Sequence, residues 1–423
     1  METVLCIARL GGAMLSGMPL PALRYLDVTP VEQDGQTLLC LQDPEGLVED
    51  PALLSPVAFF VASQLDGKSD VVDIQHAFAR HSRGVLLMSE DIMKVVAFLD
   101  QNGFLSTERY FALRAQVMDS FAASEVRPAY MAGKSYPAGA EDVRAFLDDL
   151  FAKDEEASGT AGTPPARLRG LVVPHIDFGR GGHVYARGYG RLRAQRAPRT
   201  AIIFGVAHAG GPVPFILTRK HFETPLGLLE TDTEIVDRLA SACGWDPFEH
   251  EILHRTEHSI EFQAVMLAYL YGLSVRIVPI LCGALTAESD AAPADDMEDA
   301  AAFLACCKGV VSEGEGDVIV IAGADLAHVG RRFGDPFDIT DGIVRLVEQR
   351  DREDLSFVTA RDADGFHRSV MNDGNARRVC GLGCIYATLK TLEGVAQDGE
   401  ILRYDYAPDP AGGIVSFAGI ALA

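Results

Sequence analysis

From Gly170 onward, short β-branched apolar runs alternate with longer stretches of helical periodicity. The runs Gly170–Pro174 (GLVVP), Thr200–Val206 (TAIIFGV), Val275–Leu281 (VRIVPIL) and Asp317–Ala322 (DVIVIA) read as strands buried on both faces. Between them, helices are expected at about Asp232–Ala242, Ser259–Tyr271, Asp296–Glu313 and Asp338–Glu348. Gly381–Leu392 reads as a further helix and Ile414–Ala423 as a closing strand. Such alternation predicts a mixed, mostly parallel sheet flanked by helices.

The pattern before residue 130 is different. Thr37–Gln42 has strand character after the turn-like Asp34-Gly35, and helical patterns follow at Ser55–Leu65, Val71–His81 and Ser89–Asn102. The last opens on Ser89-Glu90-Asp91, which suits an N-cap with acidic residues at the positive end of the helix dipole. It closes on Asn102-Gly103, a helix stop. A small α+β, winged-helix-like unit follows from a few helices and a hairpin. Between 131 and 168 the text turns rich in Gly, Pro, Ala, Ser and charge around EDVRAFLDDLFA, which reads as a linker holding one helix. The expected division is therefore an N-terminal extension (1–19), a small domain (20–130), a linker (131–168) and the βα-alternating domain (169–423). Met14 or Met18 is an alternative start.

The formal net charge of −23 repels phosphate backbones, which argues against general nucleic-acid binding. Eight cysteines are scattered without a CxxC pair, so the chain suits a reduced, cytoplasmic setting rather than a disulfide framework. No signal-peptide pattern opens the sequence, and no apolar run reaches the roughly 18 residues of a membrane span.

Chemistry enters where the strands end. GLVVP runs into His175, TAIIFGVA into His208, and DVIVIAGAD into Asp325, with His328 three residues on. Ligands in open α/β sheets bind outside the carboxyl ends of the strands, so these residues are expected around one crevice. A single histidine there is commonly structural; several at one edge favour a site. The segment His254–Glu261 opens a helix that Thr256 or Glu257 can cap, with Glu261 completing a capping arrangement, which explains the acidic residues. Capping leaves His258 unexplained, because a helix N-terminus disfavours a cationic histidine while a neutral one there can serve acid–base chemistry. Cys380, in Cys380-Gly381-Leu382-Gly383-Cys384, precedes another helix, where a thiol pKa is expected to fall; the plain alternative is a buried small residue. Gly179-Arg180-Gly181-Gly182-His183 matches no phosphate-loop pattern and reads as turn glycines, and Asp177 as a solvated loop carboxylate near the site.

Taken together, ETPLGLLETDTE (Glu223–Glu234), TEHSIEFQ (Thr256–Gln263), RIVPILCG (Arg276–Gly283), ADLAHVGRRF (Ala324–Phe333) and VCGLGCI (Val379–Ile385) resemble the Memo family in order and spacing. In bacteria such proteins are called AmmeMemoRadiSam system protein B. The resemblance covers roughly Arg169–Ala423 and implies a fold similar to non-haem iron extradiol dioxygenases. It also implies a metal constellation at His175, His208 and Cys380, with His258, Asp325 and His328 as catalytic or orienting groups. Two imidazoles and a thiolate suit a divalent or redox metal ion, with iron or copper ahead of zinc. The chain departs from the family pattern after His175, where Ile176-Asp177-Phe178-Gly179 stands, and after His208, where Ala209-Gly210 stands. The N-terminal unit resembles PqqD-like peptide-recognition modules.

Three functional readings follow, in this order. The first is a metal-dependent oxidoreductase acting on a small organic or peptide-borne substrate. The second is a zinc-type hydrolase. The third is a non-catalytic ligand- or peptide-binding protein working with radical-SAM and AMMECR-type partners, as the system name implies.

Overall fold

A computed structural model describes residues 17–33, 35–48, 50–158, 167–283 and 298–423. Most of the expected N-terminal extension, Asp34, the segment 159–166 and the first residues of the helix expected at 296–313 lie outside the described residues. By its internal contacts the chain divides into two compact units, one ending at Ala123 and one spanning Ser124–Ala423.

The first unit pairs β1 (Asp27–Gln33), β2 (Gln36–Gln42) and β3 (Ala52–Leu54) in an antiparallel sheet. With them go α1 (Pro56–Ser63), α2 (Val71–His81), α3 (Ser89–Gln101) and α4 (Glu108–Ala123). Leu41, Ile74, Ile92, Leu99 and Leu105 form its core. Helix α2 is secured by a reciprocal capping box between Asp70 and Asp73. Ser89, expected as a cap, is instead the first helical residue of α3, and its hydroxyl receives Gln75 Nε2 at 3.2 Å.

The second unit opens with β4 (Val126–Arg127) and α5 (Ala140–Ser158). This stretch, expected as linker, is packed: Val143, Leu147 and Phe151 are buried against α6 (Phe178–Arg193) and its neighbours. Composition hid the packing, because the Gly/Pro-rich flanks outweighed one amphipathic helix. Helix α6 is likewise a correction, since its glycines were read as turn residues. Asp177, expected to be solvated, caps it by accepting from Arg180 N. The glycines let the helix lie close: a Cβ on Gly181 would fall 2.5 Å from Ile176 Cγ2, and one on Gly188 2.6 Å from Val173 Cγ1.

An eight-stranded mixed sheet organises the rest. Its centre is parallel, in the order β5 (Gly170–Val173), β11 (Val318–Gly323), β6 (Thr200–Val206) and β10 (Arg276–Cys282). β7 (Phe215–Leu217) joins β10 antiparallel. On the other flank β14 (Gly413–Leu422) pairs antiparallel with β5, β12 (Asp325–Gly330) and β13 (Gly399–Asp409). A smaller sheet holds β4, β8 (His221–Thr224) and β9 (Gly227–Leu229). Two apolar cores cover the faces of the large sheet. One takes α7 (Thr233–Ala240), α9 (Glu298–Glu313), α10 (Asp341–Ala360), α11 (Ala363–Met371) and α12 (Leu382–Thr391); the other takes α5, α6 and α8 (His258–Tyr271). Among the described residues no helix is long and apolar enough to cross a membrane.

Candidate metal centre

The carboxyl ends of the parallel strands converge as the pattern predicts. β5 delivers His175, β6 delivers His208, and β11 passes directly to Asp325 at the start of β12. Two helix N-termini reach the same edge: α8 begins at His258, and Cys380 lies just before α12.

Each imidazole is held from behind. His175 is buried, and its Nδ1 lies 2.9 Å from the Gly323 carbonyl, which can only accept. The proton therefore sits on Nδ1, and Nε2 keeps its lone pair. That nitrogen is 3.3 Å from Cys380 Sγ and 3.5 Å from Asp325 Oδ2. The backbone N–H of His175 donates to Asp325 Oδ1 at 3.0 Å, tying strand end to strand end. His208 repeats the arrangement with a carboxylate: its Nδ1 lies 3.0 and 3.1 Å from the two oxygens of Glu257, and its backbone N–H donates to Glu257 Oε2 at 3.0 Å. The ring of His258 stacks on that of His208 at 4.7 Å and 14°, with Nδ1 3.3 Å from Glu257 Oε1. Ligand atoms of His175, His208 and His258 all lie within 4.8 Å of one another.

Glu257 is the functional residue that sequence reasoning missed. It was read as a helix cap, and it is one, accepting from His258 N and Ser259 N at 2.9 Å each. The same buried carboxylate also holds His208 at the side chain and the backbone. The available signal was its place in Glu257-His258-Ser259, directly beside a candidate histidine.

The electrostatics follow from burial and from this carboxylate. Burial pushes the Glu257 pKa upward, but the neighbouring His208 and His258 and the hydrogen bonds it accepts hold it well below the usual carboxylate range. Burial opposes charge on His208, yet the Glu257 carboxylate prevails and raises its pKa well above the ordinary histidine value. His175 is held well below that value by burial and by the neighbouring histidines. Burial likewise lowers His258 to about 4, so it is neutral, as expected. Burial raises Asp325 to about 7 and Cys380 to about 11. The lowered thiol pKa expected for Cys380 is thus reversed, because desolvation of the thiolate outweighs the helix end and His208.

The structure brings together His175, His208, His258, Asp325 and Cys380. His328 has its Nδ1 3.1 Å from the Leu326 carbonyl, its ring edge 5.1 Å from Phe333 and its backbone N–H donating to Arg377 O, and burial, with a smaller contribution from His208, lowers its pKa to about 4. Beside Cys380 opens a cavity of about 310 Å³, walled by Val206, Ala207, Gly211, Cys282 and Gly383.

The protein is thus of the mixed α/β class, with imidazoles and a thiol gathered at its strand ends and three of the imidazoles close enough together to hold a metal ion. The chain belongs to the Memo family: the Memo-like protein family matches residues 127–421. That match begins about forty residues before the expected domain start, at the β4 strand that the linker-like composition concealed. Curated relatives carry the description MEMO1 family protein. The one from Aquifex aeolicus is 27% identical over 403 residues, covering 95% of this chain and 99% of its own length. One from Methanopyrus kandleri is 29% identical over 69% of this chain and 95% of its own length. One from Ignicoccus hospitalis is 31% identical over 51% of this chain and 71% of its own length. The Aquifex alignment runs beyond the family match, so it takes in much of the first unit.

Proposed function

We propose that the pocket is a metal centre with His175, His208 and Cys380 as ligands, serving redox chemistry on a small organic or peptide-borne substrate. The carrying observation is the fixed orientation of two imidazoles. Gly323 O and the Glu257 carboxylate accept the Nδ1 protons, so His175 Nε2 is free for a ligand on the Cys380 side and His208 Nε2 becomes so once the proton that Glu257 favours on this ring is released. Outward-facing Nε2 with a hydrogen-bonded Nδ1–H is the arrangement metal-ligating histidines adopt. The donor set therefore fits a divalent or redox metal, softened by the thiolate toward iron, copper or zinc.

A metal held there by His175, His208 and Cys380 would supply Lewis-acid or redox chemistry. The chain's own groups do the rest. Glu257 orients His208, and Gly323 orients His175. Metal binding needs the Cys380 thiolate, so it must release the thiol proton that burial now retains. His258 and Asp325 border the ligands and are placed to orient a substrate and to move protons. The glycine- and cysteine-walled cavity admits a small group. An extradiol-dioxygenase-like fold, and a peptide-recognition role for the first unit, accord with this reading.

Metal analysis of anaerobically purified protein tests it, with His175→Ala and Cys380→Ala alongside. The expected result is about one iron or copper per chain, lost in both variants. Zinc lost in both would favour a hydrolase, and no metal after reconstitution would leave a binding protein.

A further inference from the structure

We infer that Arg127 is a positioning residue of the metal centre, acting through the main chain of Glu257. The inference rests on the metal reading above. Arg127 lies on the two-residue strand β4, opposite Phe222 of β8, and is fully buried. Its guanidinium is completely engaged. Nε donates to the His254 carbonyl at 2.9 Å, and Nη2 to the Glu257 carbonyl at 2.6 Å. Nη1 donates to Pro128 O at 2.8 Å and to the Glu261 carboxylate. The other oxygen of Glu261 receives Met131 N at 2.8 Å and the Tyr136 hydroxyl.

A buried ion pair alone would require only Glu261. Here the fork spends its two remaining nitrogens on carbonyls at either end of the turn from His254 to Glu257. That turn enters α8, and its last residue is the carboxylate that holds both His208 and His258. Arg127 thus fixes the backbone from which Glu257 projects. Only a planar fork spans two carbonyls and a carboxylate together; a lysine ammonium is a point donor. Without Arg127, the start of α8 can shift, and the shift reaches both imidazoles through one carboxylate. Nothing in the local sequence announces this contact, because Arg127 and Glu257 are 130 residues apart.

The test uses the full chain and cobalt(II), measured by competition with a chelator and by its visible spectrum. Arg127→Met strands the Glu261 charge, so Arg127→Met/Glu261→Gln is made beside it, and Arg127→Lys preserves the ion pair without the fork. Val236→Ala, in the core on the other face of the sheet, controls for lost stability. Nitrogen-15 spectra of metal-free protein report the His208 ring. Every folded Arg127 variant is expected to bind cobalt about tenfold or more weaker, with a moved His208 Nδ1 signal. Val236→Ala is expected to melt earlier and keep both. Unchanged affinity and His208 signal in a folded Arg127 variant would overturn the inference. Should the wild type bind no cobalt, the metal reading fails, and the His208 signal alone then decides the role of Arg127.

Discussion

At the scale of residues, the site depends on contacts with no slack. Gly381 follows the Cys380 thiol, and a Cβ there would fall 2.5 Å from Asp325 O and 2.6 Å from Ala324 Cβ. Both obstacles lie where β11 passes into β12, a backbone oxygen and a Cβ, so neither can rotate away. Gly381→Ala is expected to cost about 1–3 kcal/mol of stability as overpacking. It should also weaken metal uptake, because Cys380 must move with the backbone. Denaturant unfolding and metal titration check both effects; a variant normal in each would show that the β12–α12 junction can relax. Glu257 teaches the complementary point. Its capping role was legible from local pattern, but its grip on His208 comes from a residue 49 positions earlier. A one-dimensional reading cannot separate a carboxylate that caps from one that caps and also orients a ligand.

At the scale of elements, α6 makes competing terms explicit. Replacing a helical glycine by alanine gains about 0.5–1 kcal/mol from backbone entropy, provided that the new methyl has room. Gly190 has nothing within 4 Å of its would-be Cβ, so Gly190→Ala is expected to stabilise by that amount. Gly188 faces Val173 Cγ1 at 2.6 Å, and an overpacking cost of about 1–3 kcal/mol exceeds the gain. Gly188→Ala should therefore lower the melting temperature while Gly190→Ala raises it. Equal shifts would show that helix and sheet are not in tight register. The same glycines explain why α6 was unreadable: five in sixteen residues obscure a helix that uses them to approach a strand. The buried strands β5, β6, β10 and β11 were legible because burial on both faces demands unbroken β-branched runs. β13 was not, since one of its faces is polar and its pairing with β14 is a tertiary fact. The expected 338–348 helix captured only part of α10, which runs from Asp341 to Ala360 with buried Asp351 and Asp354 on its inner face. Those carboxylates pair with Arg377, so polar residues there mark core rather than surface. That His175, His208 and Cys380 gather at one edge was legible from strand endings and the resemblance; Arg127 fell inside the segment assigned to another domain.

For the molecule as a whole, acid should expose the cost of burying neutral histidine. His254 donates from Nε2 to Ile216 O at 3.0 Å, and burial lowers its pKa to about 3. Its folded pKa lies below the unfolded value of 6.5, so its contribution is complete above pH 6.5 and is lost as pH falls from there toward 3. Each pH unit in that window removes about 1.4 kcal/mol. His254→Leu lacks this titration but leaves a carbonyl unpaired. It should be the less stable protein at pH 7.5, with the gap narrowing by roughly 2–3 kcal/mol by pH 4.5. Unfolding curves across that range decide it, and a gap constant with pH would mean His254 is not held neutral.

The proposed ligands are strung along the chain at positions 175, 208 and 380, and the strand that hydrogen-bonds with β5, β12 and β13 ends at Leu422. Translation therefore releases the two imidazoles long before the thiol, and the sheet that sets their spacing cannot close until β14 emerges from the ribosome. A metal captured by the early histidines alone would lack both the sulfur donor and the completed scaffold, so with the proposed ligand set loading is expected to follow the synthesis of β14.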